Sequence, residues 1–187
     1  MSRIIYIHIP RTAGNAIISA LMPNKNIDLI RHDLRDPEYK FYNQQSLSGD
    51  KVLSFVRNPF SRAFSAYNFL RNGGLHEPDA FDSYLLGLNH LSFEEFILQR
   101  LEDASKWQIH FIPQSRWILG AQDPKIYKFE NILTEYDRMC LENELESSTL
   151  QQINKASYDL LDNMNIRKKA MRIIKKVYKD DYTMFGY

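Results

Sequence analysis

Residues 4–17 read IIYIHIPRTAGNAI. An apolar run over residues 4–9 stops at Pro10-Arg11-Thr12-Ala13-Gly14, and an apolar pattern with helical spacing follows. A short apolar run bounded by turn residues predicts a buried strand, and the pattern after it predicts a helix over residues 15–22, stopped at Pro23. The loop between them is a candidate anion site. A new helix presents unpaired N–H groups, Gly14 lets a ligand approach the backbone closely, and Arg11 and Thr12 add a guanidinium and a hydroxyl. It is not a Walker A loop, because only Gly14 is present and no Lys-Ser/Thr pair follows it.

A second stretch has the same grammar. Residues 52–56 (VLSFV) predict another buried strand, bounded by Arg57-Asn58-Pro59. Asn58 suits a helix N-cap and Pro59 the first helical position. Phe60, Phe64 and Tyr67 then follow helical spacing, and Gly73-Gly74 ends the element. Where a nucleotide triphosphatase often carries a magnesium-binding aspartate, this strand ends in Arg57, which points to direct anion contact without metal. Ser65 lies about two helical turns on, so Arg57, the helix N-terminus and Ser65 are expected to line one pocket. Two plainer readings stay open: a βα turn with an exposed arginine, and a surface arginine beside a core serine. Two anion sites on neighbouring strands suggest a ligand with two separated phosphate-like groups.

The rest of the chain constrains this picture. With 187 residues and no repeat or linker, a single domain over 1–187 is expected. A net charge of +1 argues against a wholesale nucleic-acid binder. Cys140 is the only cysteine, so no intramolecular disulfide forms, and its apolar helical setting with Tyr136 and Met139 predicts a core thiol. No apolar run of about 18 residues is present, and residues 4–9 are too short for a signal peptide, so no membrane span or leader is expected. Residues 24–50 read as loops with room for a short helix. Ser92-Phe-Glu-Glu95 is a capping box for a helix to about Leu101, and residues 125–129 predict a third strand with a helix after it to about Leu145. Ile166, Ala170, Ile173, Ile174 and Val177 form an apolar helical stripe amid Arg167, Lys168, Lys169, Arg172, Lys175, Lys176 and Lys179; a solvated face or a surface for an acidic partner explains it. Strands alternating with helices imply an α/β class with a parallel sheet.

At these residues the chain resembles the PAPS-dependent sulfotransferases, in particular the branch with the carbohydrate 2-O-sulfotransferases and their small bacterial relatives. PAPS, 3′-phosphoadenosine 5′-phosphosulfate, has two anionic ends. IHIPRTAGNAI is similar to the family's 5′-phosphosulfate loop and SFVRNPFSRAFSAY to its 3′-phosphate motif. HFIPQSRWILGAQDPKIYKFE (110–130) and the ending VYKDDYTMFGY resemble two further family segments. The resemblance implies a P-loop-like three-layer α/β fold whose central parallel sheet is flanked by helices. It implies that Arg11, Thr12, Ala13, Gly14, Asn15 and Ala16 surround the 5′-phosphosulfate, and that Arg57 and Ser65 hold the 3′-phosphate. Arg62 matches the motif's second arginine, for which ligand contact and a structural ion pair are equal readings.

His32, in LIRHDLRD, falls where this branch carries its base histidine. His110 is the rival for that role, and its segment is implied on the acceptor side; Trp107 is an aromatic suited to stacking on a sugar face there, and His8 is expected in the core. The family usually has Lys where this chain has Arg11, and an arginine keeps the charge but scarcely gives up a proton. No metal is implied. The acceptor is expected to be a sugar or glycolipid hydroxyl, and the location cytoplasmic or peripheral to the inner membrane surface. Alternatives are a non-catalytic adenosine-bisphosphate-binding module and a P-loop nucleotide kinase-like enzyme. Nucleic-acid binding through residues 167–179 is disfavoured by the near-neutral charge.

Overall fold

The structure, a computed structural model, describes residues 3–30, 50–150 and 168–187. In chain order its elements are β1 (Ile4–Ile7), α1 (Gly14–Leu21), β2 (Ile27–Ile30), β3 (Lys51–Val56), α2 (Pro59–Arg71), α3 (Glu77–Leu85), α4 (Phe93–Gln99), α5 (Leu101–Trp107), β4 (Lys125–Lys128), α6 (Ile132–Glu142), α7 (Lys168–Val177) and α8 (Lys179–Phe185). The class is α/β, with a central four-stranded sheet flanked by helices. All strand pairs are parallel, in the order β2-β1-β3-β4. The described residues fall into two compact units, one holding those up to Arg57 and from Gln114 to 150, the other Asn58–Pro113 and those from Lys168 onward.

The first unit contains the sheet. Strands β1 and β3 are its inner pair, and their continuous apolar runs suit strands covered on both faces. Ser54 interrupts the run of β3, and its hydroxyl donates to the carbonyl of Ile7 at 2.9 Å. Phe55 of β3 is in register with Tyr127 of β4, and their ring centroids lie 5.5 Å apart. The Tyr127 hydroxyl donates to the Glu142 carboxylate at 3.0 Å, which ties β4 to the end of α6. Cys140 is buried in α6, where burial raises its thiol pKa; the expected core thiol is what the structure has. Strand β2 has no counterpart in the sequence reading, which gave residues 24–50 loops and room for a short helix. It is an edge strand whose Asp28 is exposed and paired with Arg3 at 3.4 Å, so its polarity hides it.

The second unit is helical. Helix α2 starts as its sequence predicts: Asn58 Oδ1 accepts from the amides of Phe60 (3.1 Å) and Ser61 (3.2 Å), and Pro59 is the first residue. The Ser92–Glu95 capping box is reciprocal, with Ser92 N donating to Glu95 Oε2 at 2.8 Å and Glu95 N to Ser92 Oγ at 3.3 Å. The helix it opens ends at Gln99, earlier than expected, because Arg100 leaves helical geometry at φ −130° before α5 begins. Phe93 anchors the core, meeting Phe64 edge-on at 5.0 Å and Phe60 at 5.8 Å. Helix α7 buries Ala170 and Ile174 and exposes Lys168, Lys169, Arg172, Lys175 and Lys176; of these, Lys176 pairs with Glu102 of α5 at 2.5 Å.

Helix α3 is also absent from the sequence reading, and it is turned inside out. Its buried residues are Asp79 and Ser83, while Phe81 (60% exposed), Tyr84 (75%) and Leu85 (52%) face water. Among the described residues no helix is long and apolar enough to cross a membrane.

Candidate functional site

Because β1 and β3 are parallel neighbours, the loops that follow them leave the same, carboxyl, edge of the sheet, where ligands of open α/β sheets bind. The loop after β1 is strained. Arg11 and Ala13 have φ of 72° and 63°, while Thr12 between them does not share the positive sign. A left-handed non-glycine residue costs about 1–2 kcal/mol. Such outliers concentrate at ligand sites. Alternating φ signs turn successive N–H groups to one side, the concavity that binds anions.

Ala13 is also the N-cap of α1. It supplies no side-chain cap, and the first turn of the helix has no acidic residue to compete with an anion there. Asn15 is exposed there and Ala16 half-buried. The Thr12 hydroxyl donates to the carbonyl of Ile9 at 2.8 Å and holds the turn. A β-carbon on Gly14 would lie 1.7 Å from Cδ2 of His8, so the room a side chain would need is filled by this buried histidine.

The loop after β3 comes to meet it. Arg57 is buried, and its Nη1 donates to the carbonyl of Arg11 at 3.4 Å. Its guanidinium lies over the ring of Phe129, 4.4 Å from the centroid. Its backbone is gripped at both ends by one side chain: Arg57 N donates to Gln114 Oε1 at 2.9 Å, and Gln114 Nε2 donates to Arg57 O at 2.8 Å. Residues 11 and 57 therefore come together. Gln114 and Phe129 were not singled out in the sequence, though both lie in the stretch from HFIPQ to KFE.

The other named residues lie in the second unit or outside the described residues. Ser65 is buried on α2. Trp107 is partly exposed, and its indole N–H donates to Asp103 Oδ2 at 3.3 Å. His110 is buried, with Nε2 3.5 Å from Asp79 Oδ1 and its ring edge-on to Phe69 at 5.0 Å. Burial pushes the Asp79 carboxyl upward, but His110 and the amides of Leu75 (2.9 Å) and His76 (3.2 Å) outweigh it, and its pKa falls below the ordinary value. Arg62 is fully buried and structural: it donates to His110 O at 3.2 Å and to Ile112 O, with its guanidinium 5.8 Å from the Tyr178 ring. The Tyr178 hydroxyl in turn donates to Phe111 O at 3.0 Å. His32 lies outside the described residues.

Three of the segments singled out in the sequence, around Arg62, His110 and Tyr178, are thus knitted into one internal network. A family model described as the Sulfotransferase family matches residues 2–187. The chain belongs to the sulfotransferase family. No curated protein and no solved structure gives a significant match. The strained turn at residues 11–13 and the Arg57 guanidinium have the chemistry that anions favour.

Proposed function

We propose that this sulfotransferase moves a sulfuryl group from PAPS to a hydroxyl of a carbohydrate or glycolipid acceptor. The observation that carries the reading is the pair of left-handed residues, Arg11 and Ala13, at the uncapped start of α1, touched by the side chain of Arg57. Strain of that kind persists where it serves binding, and two cations with a row of amides suit a donor with two anionic ends.

PAPS supplies an activated sulfuryl group on its 5′-phosphate. The residues around it do the rest. Arg11 and the amides of residues 12–16 hold the 5′ end and stabilise the charge that collects on the departing phosphate. Arg57 takes the 3′-phosphate; Ser65 is assigned to the same group by its place in the motif. The acceptor oxygen forms its bond to sulfur as the bond from sulfur to the phosphate oxygen breaks in line, and the acceptor's proton passes to His32. A histidine, with a reference pKa of about 6.5, is suited to that step near neutral pH. Trp107 and the segment around His110 are assigned to the acceptor side. No metal takes part, and the setting is the cytoplasm or the inner face of a membrane.

Calorimetry with adenosine 3′,5′-bisphosphate against ADP, with and without Mg²⁺, tests the reading. The bisphosphate is expected to bind more tightly, by the same margin in either buffer. Equal affinity for ADP, or binding that needs the metal, would sink it.

A further inference from the structure

We propose that Gln114 is a positioning residue for donor recognition: its carboxamide sets the backbone of Arg57 and so aims the guanidinium at the 3′-phosphate. This rests on the donor reading given above. The ladder between β3 and β4 ends at the pair Val56 and Lys128, so Arg57 is the first residue beyond it. Arg57 is nonetheless buried, and a buried backbone donor or acceptor left unpaired costs about 1–3 kcal/mol. The carboxamide of Gln114, fully buried, meets both groups at 2.9 and 2.8 Å and stands in for one residue of a neighbouring strand.

With its main chain fixed on both sides, Arg57 keeps only side-chain freedom. Phe129, directly after β4, supports one face of the guanidinium at 4.4 Å. Its Nη1 reaches the carbonyl of Arg11 in the neighbouring turn by a long bond, 3.4 Å against the usual 2.7–3.2 Å. A phosphate oxygen would offer that N–H a charge-assisted bond roughly twice as strong. No other side chain of similar size supplies one donor and one acceptor at this spacing; leucine supplies neither, and glutamate loses the donor for Arg57 O.

The test compares affinities of the full chain for adenosine 3′,5′-bisphosphate and adenosine 5′-monophosphate, before and after Gln114→Leu. A merely structural role lowers both alike. Positioning lowers the preference for the 3′-phosphate by about tenfold or more, the size of one charge-assisted hydrogen bond, while the monophosphate affinity holds within about threefold. Adding Arg57→Ala to Gln114→Leu is expected to remove little further preference. If the leucine variant does not fold, Gln114→Glu replaces it, with a smaller loss in the same direction. A preference unchanged in the variant, or an equal loss for both nucleotides, overturns the positioning role alone. A wild-type chain that shows no preference overturns the donor reading, and this role with it.

Discussion

A β-carbon on Gly14 falls 1.7 Å from Cδ2 and 2.0 Å from Nε2 of His8, inside the imidazole itself. The residue that follows β1 and the first residue of α1 are locked by this contact, the one filling the space that the other leaves.

Gly14→Ala therefore has to displace either the ring or the helix start. Overpacking of this kind costs about 1–3 kcal/mol, measured as a shift in the urea midpoint. The double substitution His8→Ala/Gly14→Ala is expected to be more stable than Gly14→Ala alone. A Gly14→Ala variant that unfolds like the wild type would refute the contact.

Asp79 and Asp82 sit one helical turn apart on α3 and respond to pH with opposite sign. Asp79 titrates below its ordinary range. Its contribution is present above that range and is lost as pH falls through the depressed value, below about pH 4. Burial raises Asp82, with Asp79 adding to the rise and Gln108 opposing it, so its contribution is present at low pH and is lost as pH climbs through the raised value. Asp79→Asn should destabilise the protein at pH 7 by about 1.5–3 kcal/mol. Asp82→Asn should be neutral or stabilising at pH 7, since an amide oxygen still accepts from Gln108 Nε2, and that difference should shrink at pH 3. Urea midpoints at the two pH values decide; the same sign for both variants at pH 7 would contradict the assignment.

Arg62→Met removes the donor shared by the carbonyls of His110 and Ile112, and with it the cation that the charge of Asp181 stabilises. A loss of about 3–5 kcal/mol in chemical denaturation is expected. Arg62→Lys should recover little, because an ammonium cannot span two carbonyls as a planar fork does. Full stability with lysine would argue that the fork is unused.

Tyr6 is fully buried in β1, and its hydroxyl has no hydrogen-bond partner among the described residues. Tyr6→Phe removes a buried oxygen that lost its water, so the variant should be as stable as the wild type or more so, by up to about 2 kcal/mol. A loss above 1 kcal/mol, on the scale of a broken hydrogen bond, would reveal a partner for that hydroxyl.

The inner strands were legible because strands covered on both faces must be apolar throughout, and the start of α2 because Asn58-Pro59 is a local instruction. Strand β2 was not, since an edge strand carries Asp28 where an inner one would carry an aliphatic side chain. The turn at Arg11 was found by its charge and its place between strand and helix, whereas its positive φ values were not, as neither Arg11 nor Ala13 is a residue that favours them. Gln114 escaped for a different reason. It acts on backbone groups 57 positions earlier, and only the folded chain brings the two together.

Helix α3 carries a last consequence, for anyone altering this protein. Its tolerance to substitution runs opposite to what a hydropathy profile advises. Lysine or glutamate at Phe81, Tyr84 or Leu85 would trim a sticky exterior at little cost, whereas an aliphatic replacement at Asp79, the usual remedy for a polar interior, would strip His110 of a carboxylate, and a larger one at buried Ser83 would crowd its surroundings.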